Sequence, residues 1–188
     1  MFTMFDDEKS YQTLFRKACK SENVAFVDMC IQILGIVPSD YNNYAIRLAS
    51  KNNCVSVVDK LLTYKVDPTT KNFDAFNSAI RRDYPNIVKR LVRYVDLNKL
   101  HRDFSSELLI YASTKGYIEI LDEILLQDCI AVSWHFEDAI NIASKNGHIS
   151  IIDRLLQSGI RHFNPRRLNA QAILAAIRNG LNLVLQQI

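Results

Sequence analysis

The chain has 188 residues, of which 48% are hydrophobic and 23% are charged, and its formal net charge is +3. This composition is that of a globular protein and excludes an intrinsically disordered chain. The net charge is too small to indicate a nucleic-acid-binding protein by itself. No stretch approaches the roughly 18 apolar residues of a membrane-spanning helix, so we expect no membrane contact. The residues after Met1 lack the pattern of a secretory signal, which favours a cytoplasmic protein, with the nucleus as the alternative.

The cysteines are spread along the chain without a Cys-x-x-Cys pair, at Cys19, Cys30, Cys54 and Cys129. A disulfide framework or a zinc site requires closer or more regular spacing. We therefore expect reduced and mostly buried thiols in an intracellular protein, with no metal and no cofactor.

An alanine recurs along the chain at spacings of 31, 30, 33, 31 and 33 residues. These anchoring alanines are Ala18, Ala49, Ala79, Ala112, Ala143 and Ala176. An apolar residue precedes each by three positions, and two more follow it by eight and nine positions. A fixed period of about 20–50 residues indicates a repeat architecture. We expect one domain, residues 1–188, with six repeats at 10–38, 39–68, 69–97, 98–132, 133–164 and 165–188.

Each repeat has two short runs of apolar residues at helical spacing, which predict a helix, a turn and a second helix. In chain order, the residue that follows the first helix is Glu22, Asn53, Asp83, Gly116, Gly147 and Gly180. Glycine at this position adopts the positive φ that ends a helix, and asparagine and aspartate tolerate it better than glutamate. In the third repeat, Pro85 stands at the predicted start of the second helix. The sixth repeat stops at Ile188, within its second helix.

The fifth repeat carries the segment Asn-Gly-His-Ile-Ser-Ile-Ile-Asp-Arg-Leu-Leu-Gln-Ser-Gly at 146–159. This segment resembles the second-helix signature of ankyrin repeats, and Val66-Asp67 and Val95-Asp96 stand where the hairpin of that family begins. The family's Thr-Pro-Leu-His opening is missing throughout, as in divergent members. The resemblance implies an all-α, ankyrin-type α-solenoid of about six helix-turn-helix repeats with short hairpin loops between them. Similar arrays act as adaptors in host-interacting proteins of large viruses and intracellular pathogens.

Signatures of catalysis are missing from the sequence. There is no glycine-rich phosphate loop, His-Glu-x-x-His or Gly-x-Ser-x-Gly motif. His148 follows Gly147 in the turn of the fifth repeat, where we expect its ring to tie the loop to backbone groups. We therefore predict a protein that is not an enzyme.

Cations recur near the end of each predicted first helix. Two residues after an anchoring alanine come Lys20, Lys51, Arg81, Lys145 and Arg178, while Lys115 follows Thr114 and Arg82 follows Arg81. On an ankyrin-like stack these side chains would line the concave face. These cations either bind a partner or only stabilise the helix ends, and the sequence leaves both alternatives open. The helix dipole alone favours a cation in the last turn of a helix by about 0.3–1 kcal/mol.

Aromatic residues are expected at the hairpin tips, at Tyr41, Phe73, Phe104 and Trp134, with His135 beside the last. Aromatic side chains together with arginine are typical of binding hot spots. The alternative that Phe73 and Phe104 fold back under the tips remains open.

These residues support three hypotheses about function. The first is a protein–protein interaction module that binds an acidic segment of another protein on a basic and aromatic concave face. The second is binding of nucleic acid or another polyanion along the same residues, which requires a steep loss of affinity with salt. The third is a scaffold segment of a longer or oligomeric assembly, although we expect a monomer.

Overall fold

A computed structural model describes residues 4–127, 135–158 and 174 of the chain. Within these residues all regular structure is helical and no strand occurs, which confirms the all-α class. A 3₁₀ turn spans Leu97–Lys99. The α-helices are α1 (Met4–Lys20), α2 (Val24–Gln32), α3 (Asp40–Lys51), α4 (Val55–Thr63), α5 (Thr70–Arg81), α6 (Pro85–Tyr94), α7 (Arg102–Lys115), α8 (Ile118–Leu125), α9 (Phe136–Lys145) and α10 (Ile149–Gln157). None of the described helices is long and apolar enough to cross a membrane.

The chain divides into two compact units, residues 1–95 and 96–188. In the first unit, α1, α3 and α5 pack side by side in that order, and so do α2, α4 and α6. Three helical hairpins thus form two layers, one of first helices and one of second helices. In the second unit, α7 packs against α9, and α8 against α10, so two hairpins repeat the arrangement. Most of the sixth predicted repeat, 165–188, lies outside the described residues.

The anchoring alanines lie in the helix layers. Ala18 is 1% exposed, and Ala49, Ala79, Ala112 and Ala143 are fully buried. A small side chain at this position lets the backbones of packed helices approach each other. Larger apolar residues such as Phe76, Leu91 and Ile140 fill the space around them. Ala176 lies outside the described part of the chain.

The first helices end as the sequence predicts. Gly116 and Gly147 have φ of 75° and 74°, and Glu22, Asn53 and Asp83 adopt the same left-handed conformation with φ between 56° and 59°. Glutamate is strained there, but the Glu22 carboxylate accepts a hydrogen bond from the Ser56 backbone N–H at 2.7 Å, which links the first two hairpins. Pro85 is the first residue of α6, as expected.

The first turns of α3 and α5 contain left-handed residues, which the sequence analysis did not predict. Tyr41, Asn42 and Asn43 have φ between 53° and 56°, and residues 71–73 of the next repeat have φ between 52° and 59°. Three consecutive left-handed residues without glycine cost roughly 1–2 kcal/mol each. Contacts with the loop before α5 and with the first residue of α5 hold the first of these turns. The Asn43 side-chain oxygen accepts from the Asp67 N–H at 3.1 Å, and the Asn42 carbonyl accepts from the Thr70 hydroxyl at 3.0 Å.

Candidate binding surface

The predicted cations lie at the C-terminal ends of the first helices. In the first unit, Lys20, Lys51 and Arg81 are the last residues of α1, α3 and α5, and all three are exposed. Arg82 follows α5 and is also exposed. In the second unit, Lys115 and Lys145 are the exposed last residues of α7 and α9. Arg178 lies outside the described residues.

Contacts between the first helices show that the hairpins of the first unit share one register. The Arg16 guanidinium lies 5.2 Å from the centre of the Tyr44 ring, and Arg47 Nε lies 2.8 Å from Asp74 Oδ2. In both pairs the arginine stands two positions before an anchoring alanine, and its neighbour stands five positions before the next. The three helices therefore run in the same direction. Their C-terminal ends lie side by side, about 8–10 Å apart for packed helices.

Some cations on the second helices form ion pairs with aspartates of a neighbouring second helix, unlike the cations that end the first helices of the first unit. In the first unit, Lys60 Nζ lies 2.9 Å from Asp28 Oδ1, and Arg90 Nε lies 2.9 Å from Asp59 Oδ1. In the second unit, Arg154 pairs with Asp122. By contrast, no described residue forms an ion pair with Lys20, Lys51 or Arg81. Three cations of the second helices are thus neutralised within their own layer, and the three cations that end the first helices of the first unit are not.

Tyr41 is the exposed aromatic side chain of the tips, with 62% of its surface accessible. Arg16 lies 5.9 Å from the centre of its ring, which is within the range of a cation–π contact. Arg47 contacts Tyr44 in the same way at 5.5 Å, and its guanidinium approaches the carbonyl of Asn42 at 3.4 Å. Arginines and tyrosines therefore alternate across the start of α3.

Arg16, Tyr44 and Arg47 were not predicted as site residues. The signal was present in the sequence, because both arginines stand two positions before an anchoring alanine. This position identifies the two arginines as neighbours of the next first helix only once the offset between packed helices is known.

The remaining aromatic predictions are only partly supported. Phe73 is half-buried, and its ring meets the edge of Phe76 with centroids 6.5 Å apart. Phe104 is 6% exposed, so of the two alternatives left open the structure favours a buried side chain and not an accessible one. The reason is that α7 begins at Arg102 without a left-handed turn, so that Phe104 lies within a regular helix and faces the core. His135 is partly exposed, but its Nδ1 is buried and makes no hydrogen bond within the described residues. Trp134 lies outside them.

The predicted buried thiols are confirmed for Cys19, Cys30 and Cys54, which are buried and form no disulfide. Burial, with a contribution from the other two thiols, raises the pKa of Cys19 to about 12. Burial also raises the pKa of Cys30 and of Cys54. These groups are therefore protonated and unreactive at neutral pH. Among the described residues no three His, Cys, Asp or Glu side chains are placed to hold a metal ion.

No model of a known protein family matches the chain, and neither a curated protein nor a solved structure matches it. The function must therefore be argued from the residues of the surface itself.

Proposed function

We propose that this chain is a non-enzymatic interaction module of the ankyrin-repeat type, and that it binds an acidic segment of a partner protein across the C-terminal ends of its first helices. The observation that carries the proposal is the contrast between the two helix layers. On the second helices Lys60 and Arg90 are paired with aspartates. By contrast, Lys20, Lys51 and Arg81 end three adjacent helices with no ion-pair partner among the described residues.

The spacing of these cations suits an extended peptide. Neighbouring helices lie about 8–10 Å apart, and alternate residues of an extended chain are about 6.6–7 Å apart. Acidic side chains two or three residues apart could therefore reach successive helix ends. Complementary charge of this kind mainly accelerates association and selects the partner.

The same unit offers an aromatic anchor beside the charges. Tyr41 is exposed and adjoins Arg16, and tyrosine and arginine are the residues that contribute most often to binding hot spots. The buried thiols of the first unit support the cytoplasmic setting that belongs to this proposal, because reduced cysteines are normal there.

Charge reversal tests the proposal. The double variant Lys51→Glu/Arg81→Glu is compared with the control Lys65→Glu/Arg93→Glu, which changes the net charge equally at exposed sites near the ends of α4 and α6. Both are used to capture partners from cell lysate, and association rates are then measured with each purified partner. We expect the first variant to lose proteins that the control retains, through slower association. Equal capture by the wild type, the Lys51→Glu/Arg81→Glu variant and the control variant would contradict the proposal.

Nucleic acid is an alternative outcome of the same experiment. If the captured material is removed by nuclease, and an oligonucleotide binds with affinity that falls steeply as salt rises, the partner is a polyanion rather than a protein.

A further inference from the structure

Arg16 on α1 carries a guanidinium that no carboxylate neutralises. Its counterpart on α3 is Arg47, since each arginine stands two positions before an anchoring alanine. Arg47 Nε lies 2.8 Å from a carboxylate oxygen of Asp74 on the next first helix. At the position of Asp74, the helix that follows Arg16 has Tyr44, whose ring centre lies 5.2 Å from the guanidinium. The Arg16 side chain is exposed and forms no ion pair or hydrogen bond with any described residue.

The Arg47–Asp74 pair shows which group Arg16 lacks. A guanidinium is planar and always charged, and its N–H groups fit the two oxygens of a carboxylate. A tyrosine ring attracts the cation but leaves its charge in place. Asp40 at the start of α3 borders the same surface, yet it forms no ion pair with Arg16. A carboxylate from another molecule therefore complements Arg16 as Asp74 complements Arg47.

An exposed aromatic surface lies beside this cation. The Tyr41 ring centre is 5.9 Å from the Arg16 guanidinium, and Tyr41 is 62% exposed. Val37, which is 50% exposed, and Pro38 border the same shallow notch between α1 and α3. A second aromatic ring packs favourably both on an exposed tyrosine ring and on a guanidinium. The notch thus combines a site for a carboxylate with a site for an aromatic side chain.

The distance between the two groups sets the spacing of what they bind. The guanidinium and the Tyr41 ring centre are 5.9 Å apart. In an extended peptide, alternate side chains point to the same side and are about 6.4–6.8 Å apart. An aromatic residue and an acidic residue two positions apart therefore reach Tyr41 and Arg16 at the same time.

We propose that Arg16 and Tyr41 bind an aromatic residue and a carboxylate two positions apart in the partner segment. The partner then carries the pattern aromatic-x-acidic, in either direction, where x is any residue. This inference rests on the proposed function, because Arg16 stands one helical turn before Lys20, on the same side of α1. The helix-end cations favour acidic segments in general, and Arg16 with Tyr41 selects among them.

A library of short peptides with blocked ends tests the pattern on the immobilised full chain. The variant Arg16→Gln/Tyr41→Ser removes the proposed contacts. The control Lys17→Gln/Tyr94→Ser removes one exposed cation and one exposed tyrosine elsewhere in the same unit. We expect the wild type and the control to enrich acidic peptides with the aromatic-x-acidic pattern. Arg16→Gln/Tyr41→Ser should enrich acidic peptides without it, and far-UV circular dichroism shows whether each variant remains folded.

A double-mutant cycle with one enriched peptide assigns each contact. Replacing the acidic residue of the pattern by its amide should weaken binding to the wild type about tenfold, and binding to Arg16→Gln less than about twofold. Replacing the aromatic residue by leucine should likewise affect the wild type more than Tyr41→Ser. A purely structural role of the two residues predicts equal losses in wild type and variant.

Three results would overturn the inference. They are enrichment of acidic peptides without the aromatic residue on the wild type, retention of the pattern by Arg16→Gln/Tyr41→Ser, and a cycle without coupling. In each case the proposed function still holds if Lys51→Glu/Arg81→Glu loses the acidic peptides. A wild type that enriches no acidic peptide would contradict both proposals.

Discussion

Arg90 on α6 donates a hydrogen bond from Nε to the carboxylate of Asp59 on α4 at 3.0 Å, although the two residues are 31 positions apart. In the second unit, Arg154 and Asp122 form the same pair at a separation of 32. In each case the aspartate stands ten positions after an anchoring alanine, and the cation stands eleven positions after the next one. Side chains one period apart are therefore neighbours within each unit.

This pairing predicts measurable coupling between hairpins. A double-mutant cycle with Asp59→Ala and Arg90→Ala should give a coupling of about 0.2–1 kcal/mol, because the pair is partly exposed. The exchanged variant Asp59→Arg/Arg90→Asp should recover part of the stability lost in either single reversal. Urea unfolding measures all of these forms. Purely additive effects would show that the pair does not stabilise the stacking of α4 and α6.

Acid should weaken the contact between the first two hairpins. Hydrogen bonds from Tyr64 and Lys60 lower the pKa of Asp28 below its usual value near 3.8. A lowered folded-state pKa means that the contribution to stability is present above about pH 4 and is lost as pH falls through the folded value. Asp28→Asn should therefore have a lower thermal midpoint than the wild type at neutral pH. On acidification, the midpoint of Asp28→Asn should fall less than that of the wild type.

Tyr64→Phe tests the contribution of one of the hydrogen bonds that Asp28 accepts. It removes one of the donors and keeps the carboxylate, so its dependence on acid should lie between those of the wild type and Asp28→Asn. If all three proteins lose stability in parallel below pH 4, these hydrogen bonds do not contribute to the acid sensitivity.

Two glycines with the same backbone conformation should respond differently to alanine. Gly116 and Gly147 both have positive φ, so either change carries the left-handed penalty of roughly 1–2 kcal/mol. A Cβ on Gly116 would also lie 2.7 Å from Nδ1 of His148, whereas a Cβ on Gly147 would meet nothing. The His148 ring cannot move without cost, because its Nε2 donates to the Thr114 carbonyl at 3.0 Å.

We therefore expect Gly116→Ala to lower the free energy of unfolding more than Gly147→Ala does, as measured by urea unfolding. In a His148→Ala background the two changes should cost about the same. A difference that persists without the ring would mean that the close approach of His148 is not its cause.

The period of the sequence was enough to predict the helices, their C-terminal cations and the left-handed residues that follow the first helices. These features depend on local chemistry: a cation at a helix end, or a glycine, asparagine or aspartate where φ is positive. His148 was also expected to tie its loop to the backbone, and its hydrogen bond to the Thr114 carbonyl confirms this. The ion pairs between hairpins were equally present as a pattern, but they are recognisable only after the offset between helices is known.

The starts of the first helices could not be predicted, because they depend on the neighbouring hairpin. The left-handed turn at 41–43 is held by Asp67, at the end of its own repeat, and by Thr70, the first residue of α5 in the following repeat. Its absence at the start of α7 places Phe104 in the core, whereas Tyr41 at the equivalent position is exposed. Equivalent positions of two repeats therefore hold an exposed Tyr41 and a buried Phe104, a difference that the period of the sequence does not predict.

The last prediction concerns two buried serines on α7, whose replacement by alanine should change the free energy of unfolding in opposite directions. Ser105 and Ser113 are both fully buried. The Ser105 hydroxyl donates to the Leu97 carbonyl at 3.1 Å, but the Ser113 hydroxyl has no hydrogen-bond partner among the described residues. A buried hydroxyl without a partner costs free energy, whereas a satisfied one contributes about 0.5–1.5 kcal/mol.

Ser113→Ala should therefore raise the free energy of unfolding by about 1 kcal/mol, since it removes an unsatisfied group and favours the helix. Ser105→Ala should lower it by a similar amount, because the Leu97 carbonyl loses its donor. Both substitutions remove one oxygen from the same helix, so the difference between them isolates the hydrogen bond. Urea unfolding measures the change in the free energy of unfolding for each variant. A loss of stability in Ser113→Ala would show that the Ser113 hydroxyl has a hydrogen-bond partner in solution.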